Sequence, residues 1–252
     1  MTRVIGILSG KGGVGKTTLT ANLAVELAKR GREVYAIDCN ISTSHLGMYF
    51  GFYDYSVTIN DVLRGDNEIE DAIYEHKSGV KIIPGSLSPH DVAGIDVAQL
   101  KDNIKKLVGK ADYILLDSAP GLGREAMGAI ISSDEVLFIT KPTLPSLIDM
   151  LRLKEIVKWF KIDTIGLVVN MYKRDYKMKI EDIKKAVDLP ILTVIPYDPL
   201  VIKSFKLSIP VVLLNPKAKS SKRFRELAAY LEQEVKEKEN IIQRLLNFFR
   251  FR

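Results

Sequence analysis

Short apolar, β-branched runs alternate along the chain with stretches whose apolar residues recur at helical spacing. The runs are Val4–Leu8, Glu33–Ile37, Val80–Ile83, Tyr113–Leu116, Glu135–Ile139, Thr164–Val169 and Leu192–Ile195. Between several of them lie Thr17–Arg30, Val97–Val108, Leu147–Phe160 and Lys179–Val187, each patterned as an amphipathic helix. Strand, helix and strand in succession predict right-handed crossovers and a mostly parallel sheet with helices on both faces, an α/β architecture. Tyr-Ile-Leu-Leu at 113–116 is apolar throughout, as a strand covered on both faces requires. No linker, low-complexity block or repeat interrupts the pattern before residue 216. A helix from about Lys219 to Lys236 is expected to close a domain over residues 1–236, followed by a charged hinge at 236–240. Residues 237–252 then form a separate apolar and basic tail.

Composition narrows the class. Of 252 residues, 46% are hydrophobic and 27% charged, enough for a large core in an ordinary globular protein. No apolar run approaches the roughly 18 residues of a membrane span, and the apolar N-terminal stretch stops at Ser9, short of a secretory signal. Cys39 is the single cysteine and the three histidines are scattered, which argues against a disulfide framework, a CxxC centre, a thiolate iron–sulfur site or a histidine metal cage. A reducing, cytoplasmic setting is expected. The net charge of +6 is uneven: Lys217–Arg252 carries ten basic residues against five glutamates, while the rest holds 27 basic and 26 acidic. A polyanionic surface, lipid or nucleic acid, is therefore expected to meet the C-terminus.

Candidate chemistry begins at Ser9. Ser-Gly-Lys-Gly-Gly-Val-Gly-Lys-Thr-Thr (9–18) follows one predicted strand and opens a predicted helix, and Gly10–Thr17 fits G-x-x-x-x-G-K-[ST]. Gly10, Gly12, Gly13 and Gly15, with Lys11 and Val14 between them, allow backbone N–H groups to turn inward around phosphate oxygens. The helix opening at Thr17–Thr18 presents its positive end to the same anion. Lys16 is placed to reach the β- and γ-phosphates and the Thr17 hydroxyl to ligate Mg²⁺.

Lys11 adds a second lysine inside the loop, and KGGVGKTT in this form resembles the deviant phosphate loop of the MinD/ParA family of P-loop ATPases. The resemblance covers most of the chain. It implies the fold of that family, ATP and Mg²⁺ as ligands, and a nucleotide-sandwich homodimer in which Lys11 reaches the partner's phosphates. Tyr35-Ala-Ile-Asp38 is similar to the family's second strand, which ends in a switch aspartate near magnesium and the attacking water. Ile114-Leu-Leu-Asp117-Ser-Ala-Pro-Gly121 is similar to its Walker B strand and second switch. Lys11, Lys16, Asp38 and Asp117 are then the expected catalytic residues, and Thr17, Asp38 and Asp117 the expected metal residues. Family members place an asparagine against the adenine edge where Asn170 stands, and Ile195-Pro196-Tyr197-Asp198 resembles the loop that covers the base. A guanine site usually reads N-K-x-D, whereas Asn170 is followed by Met171, Tyr172 and Lys173, so ATP is favoured over GTP. Asn170 and Asp198 also suit ordinary turn positions. One departure stands out: relatives with Asp-x-Asp after the second strand differ from Asp38-Cys39-Asn40. Asn40 cannot take a proton, and hydrolysis is expected to be slow rather than absent. Cys39 beside it reads as a buried packing residue.

On a helical wheel at about 100° per residue, Ile241, Ile242, Leu245, Leu246, Phe248 and Phe249 share an arc of roughly 160°, opposite Gln243, Arg244, Asn247 and Arg250. Phe251 falls among the polar residues. A bulky apolar face with a cationic one is the pattern of a helix lying in a membrane interface, and it resembles the membrane-targeting tail of the family. Docking on its own domain, on a partner helix or on DNA are the alternatives. The expected protein is an ATPase that dimerises on ATP, attaches peripherally to an anionic membrane, and is released by hydrolysis, with an activator or cargo protein as further partner. It would act in the spatial positioning of division or polar machinery. A DNA-partition ATPase and an ATP-holding adaptor are the rivals.

Overall fold

In a computed structural model the backbone is described over residues 2–250 and side chains over residues 2–235. Eight strands form one sheet in the order β3-β4-β2-β5-β1-β6-β7-β8. They are β1 (Arg3–Leu8), β2 (Val34–Cys39), β3 (Tyr74–Glu75), β4 (Val80–Ile83), β5 (Tyr113–Ser118), β6 (Glu135–Thr140), β7 (Asp163–Tyr172) and β8 (Ile191–Pro196). Seven were expected from the pattern. The eighth, β3, is a two-residue edge strand and the only antiparallel one, pairing Tyr74 with Ile82. It is too short to leave a periodic trace.

The helices are α1 (Lys16–Ala28), α2 (Leu46–Tyr49), α3 (Ile59–Arg64), α4 (Leu100–Lys105), α5 (Arg124–Ile131), α6 (Leu144–Trp159), α7 (Ile180–Ala186), α8 (Pro199–Lys206), α9 (Val211–Leu214) and α10 (Lys219–Arg250). The helix expected over Val97–Val108 is shorter, a 3₁₀ turn at Val97–Gln99 leading into α4. Alternating side chains of the strands divide the core. Ile5, Ile7, Leu115 and Leu137 face α1, α9 and α10. Tyr35, Ile37, Ile114 and Leu116 face α3 and α4, while Phe138, Leu167 and Val169 face α5, α6 and α7. Helices therefore cover both faces.

Charge fastens α10 to β1 and β6. Arg3, on the first residue of β1, donates to Glu135 at 2.6 Å, to Glu234 at 3.1 Å and to the Leu231 carbonyl at 3.0 Å. α10 is continuous through 236–240, so the expected hinge is helical backbone instead. No helix among the described residues is long and apolar enough to cross a membrane. The side chains of the expected membrane face, Ile241 to Phe249, lie outside the described residues.

Candidate nucleotide-binding site

The loop between β1 and α1 is shaped by glycines whose replacement would collide. Gly15 has φ 99°, and a Cβ there would lie 2.3 Å from Asn170 Nδ2. A Cβ on Gly10 would lie 2.2 Å from the Asp149 backbone of α6. The loop thus passes close under α6 on one side and β7 on the other. Lys16 is buried, and its ammonium donates to Ser9 Oγ at 3.0 Å. Burial lowers its pKa, and the nearby carboxylates of Asp117 and Asp38 oppose that shift. Lys11 is exposed, and its ammonium makes no hydrogen bond or ion pair among the described residues. One loop lysine is held inward and the other left outward.

Asp38 and Asp117 extend their strands beyond the predicted ends and pair in register across β2 and β5. Both are buried. Asp38 is well bonded: Oδ2 accepts from Ser44 Oγ at 2.7 Å, His45 N at 3.0 Å and Leu46 N at 2.9 Å, and Oδ1 accepts from Asn40 N at 3.0 Å. Three bonds converge on Oδ2, while Oδ1 takes one and keeps a lone pair. Asp38 therefore organises the switch loop and α2 through Oδ2, and its Oδ1 keeps room for magnesium or one of its waters. Asp117 is less satisfied. Thr20 Oγ1 is 3.4 Å away, and burial together with the Asp38 charge pushes its pKa up to about 7. A buried carboxylate bonded to the Thr17 and Thr20 hydroxyls, with Lys16 near it, fits a magnesium–phosphate group. Among the described residues no cluster of three or more His, Cys, Asp or Glu forms a metal cage. Magnesium here would be held by Thr17, Asp117 and the phosphates, which is how that ion is commonly held. Bound there, it would neutralise charge on the transferred phosphoryl group.

The second switch is tied to the phosphate loop, with Gly121 N donating to Ser9 O at 3.1 Å and Ser118 Oγ to Ile7 O at 2.8 Å. The first switch closes on itself. Asn40 Nδ2 donates to Thr43 O at 2.6 Å and accepts at Oδ1 from Thr43 Oγ1 at 3.1 Å. Cys39 is buried and burial pushes its thiol pKa up, so it is an inert packing group.

A cavity of about 360 Å³ opens over the loop, lined by Gly12, Gly13, Gly15, Lys16, Thr17 and Thr18 on one side. Asn40, Thr43, His45, Tyr49, Pro120 and Phe205 line the other. Tyr49 and Phe205 carry no sequence signal for this role. Tyr49 hydrogen-bonds Thr18 and packs on Phe205 at 4.9 Å between ring centroids, contacts between α1, α2 and α8 that only the fold brings together.

The base-side residues are placed differently from one another. Asn170 lies within β7, not at its end, because the strand continues to Tyr172. Its Nδ2 donates to Val14 O at 2.8 Å and its Oδ1 accepts from Met171 N at 2.8 Å, so it braces the phosphate loop. Pro196 ends β8 opposite Tyr172. Asp198 caps α8 through Leu200 N at 3.0 Å and accepts from Ser220 Oγ at 2.8 Å, the turn role that its sequence position also allows.

The CobQ/CobB/MinD/ParA nucleotide binding domain matches residues 5–211. The chain belongs to the MinD/ParA family. Its MinD-type relatives include the septum site-determining protein MinD of Thermotoga maritima, 34% identical over 93% of this chain and 89% of that protein. An uncharacterized ATP-binding protein of Methanocaldococcus jannaschii is 34% identical over 98% of this chain and 96% of its own length. The structure of MinD from Pyrococcus horikoshii complexed with Mg-ADP superposes with a TM-score of 0.90 and 37% identity, covering 93% of this chain and 98% of that one. The MinD/ParA fold, ATP and magnesium expected from the sequence are thus those of the family to which the chain belongs.

Proposed function

We propose that this MinD-like protein dimerises on ATP, attaches to an anionic membrane through residues 240–252, and is released by slow ATP hydrolysis. It would thereby position division or polar machinery together with a partner protein. The observation that carries the reading is the contrast between Lys16, buried against Ser9, and Lys11, exposed on the same loop without a partner among the described residues. A lysine left outward beside a phosphate site is free to serve a second copy of the chain. Asn40, bound to Thr43, supplies no second carboxylate for the attacking water, which supports slow turnover.

The tail argument is energetic. Residues 240–250 continue the helical backbone of α10, so a surface need not fold them, and a single tail offers one short apolar face. One tail then binds weakly, and two tails on one dimer act bivalently, strengthening attachment by roughly 10²–10⁴-fold. Sedimentation with phosphatidylglycerol vesicles tests it. Attachment should be strong with ATP, weak with ADP, reduced by salt, and lost on deleting residues 240–252 or replacing Phe248 and Phe249 with Glu. The deleted protein should still dimerise with ATP. Vesicle binding that ignores nucleotide or survives the deletion overturns the mechanism, and a DNA-shift assay run beside it reports on the partition reading.

A further inference from the structure

α6 ends in a side-chain pair that the fold leaves uncovered. Trp159, the only tryptophan in the chain, is 79% exposed, and Phe160 beside it 39%. Their rings meet edge to face, 5.3 Å apart at 61°. The helix end carrying them is well defined. Lys161 N donates to Lys158 O at 3.0 Å and Ile162 N to Val157 O at 3.3 Å, the two bonds of a Schellman closure. The left-handed residue of such a closure is usually glycine, but here it is Lys161 at φ 57°. A β-carbon is crowded in that conformation, so the lysine is kept there against a steric cost.

Lys154, Lys158 and Lys161 flank the rings, with Glu155 and Asp163 the nearest acids along the chain. Lys154 donates to the Asp188 carbonyl at 3.3 Å, while Lys158 and Lys161 are exposed and form no ion pair among the described residues. Position adds a constraint. Asp163 opens β7 and pairs in register with Glu135, which opens β6 and binds Arg3, the residue that also holds Leu231 and Glu234 of α10. The aromatic pair therefore sits at the same end of the sheet as the stretch of α10 that leads toward the C-terminal segment. It lies on the opposite face, and the phosphate loop is at the far end.

We propose that Trp159 and Phe160, with Lys158 and Lys161, form a second, shallow contact with an anionic lipid surface while the C-terminal segment is engaged. The contact rests on the membrane reading above. An indole is amphipathic and settles at the headgroup level, where its ring is sheltered and its N–H remains wet. Lysine stems lie along apolar surface while their ammonium groups stay in water beside the lipid phosphates. Cationic and aromatic groups on one helix end thus match an anionic interface in both charge and polarity.

The single tryptophan makes the test direct. Full-length protein is mixed with a non-hydrolysable ATP analogue and phosphatidylglycerol-containing vesicles, with and without bromine on the acyl chains. Trp159 emission should move to shorter wavelength relative to the lipid-free ATP form, and brominated chains should quench it. Trp159→Ala with Phe160→Ala should weaken vesicle binding by roughly tenfold while leaving ATP-dependent dimerisation intact. Lys161→Gly, which relieves the backbone, should weaken binding by roughly fivefold without lowering the melting temperature. Vesicles that sediment the protein while emission stays unmoved and unquenched overturn the contact and leave the tail reading standing. No sedimentation in any arm overturns both. Unchanged affinity in the double variant also overturns the contact.

Discussion

Asp38 and Asp117 are register partners on adjacent parallel strands, both buried, so two carboxylates share one sheet position with Lys16 as their nearby cation. Neighbouring strands lie only about 4.8 Å apart. Without a metal the arrangement favours a proton on one of the two acids. The pair is a preformed demand for positive charge, which magnesium and the phosphate-bound lysines would meet together.

The pH dependence of stability follows. Asp117 titrates near 7 in the folded, nucleotide-free protein, above the ordinary carboxylate value of 3.8. Between those values the native state holds a proton that the unfolded chain has released. Stability therefore falls as pH rises from about 4 to about 7. Thermal scans of the nucleotide-free protein should show a melting temperature declining over that window, and Asp117→Asn should flatten the slope. Equal slopes in both proteins would remove Asp117 as its cause.

The two loop lysines should separate binding from assembly. Lys16→Ala should weaken ATP binding by roughly 10²-fold, the upper range for one hydrogen bond to a charged group. Lys11→Ala should bind ATP nearly as well and fail to dimerise. Calorimetry and light scattering read the two effects, and equal loss of affinity in both variants refutes the division.

Gly15→Ala meets two obstacles, the positive φ and Asn170 Nδ2. The first costs about 1–2 kcal/mol. The second adds about 1–3 kcal/mol as overpacking. Adding Asn170→Ala should recover the second part alone, at the expense of the brace to Val14 O. Denaturant titration of the single and double variants measures this, and no recovery would mean that the backbone conformation carries the whole cost.

Asn40→Asp should raise ATP turnover with little change in ATP affinity. It also replaces a donor to Thr43 O with a carboxylate, so the switch loop should lose about 1 kcal/mol of local stability. Phosphate release no faster than that of the unchanged protein would show that Asn40 does not limit the reaction.

The phosphate loop was legible because its function is written in consecutive residues: Gly10 to Thr17 needs only the strand before and the helix after. Asp38 and Asp117 were legible because each ends an apolar run, although their pairing required the strand order. Tyr49 and Phe205 were not, because a four-residue helix and an eight-residue helix far apart in the sequence touch only in the folded chain. Asn170 was found but misplaced on its strand, since β7 continues through Met171, whose left-handed φ of 56° breaks the usual alternation. The bond from Asp198 to Ser220 joins residues 22 positions apart and leaves no local pattern.

The borders of the sheet have a consequence for how copies of this protein can associate. At one border stands β3, two residues long and running against its neighbour, too short to template another chain. At the other, β8 has α10 packed against it and ends in Pro196, which has no N–H to offer. Growth by strand addition is discouraged on both sides, so open-ended fibres are disfavoured and closed assemblies must be built through loops and helix faces.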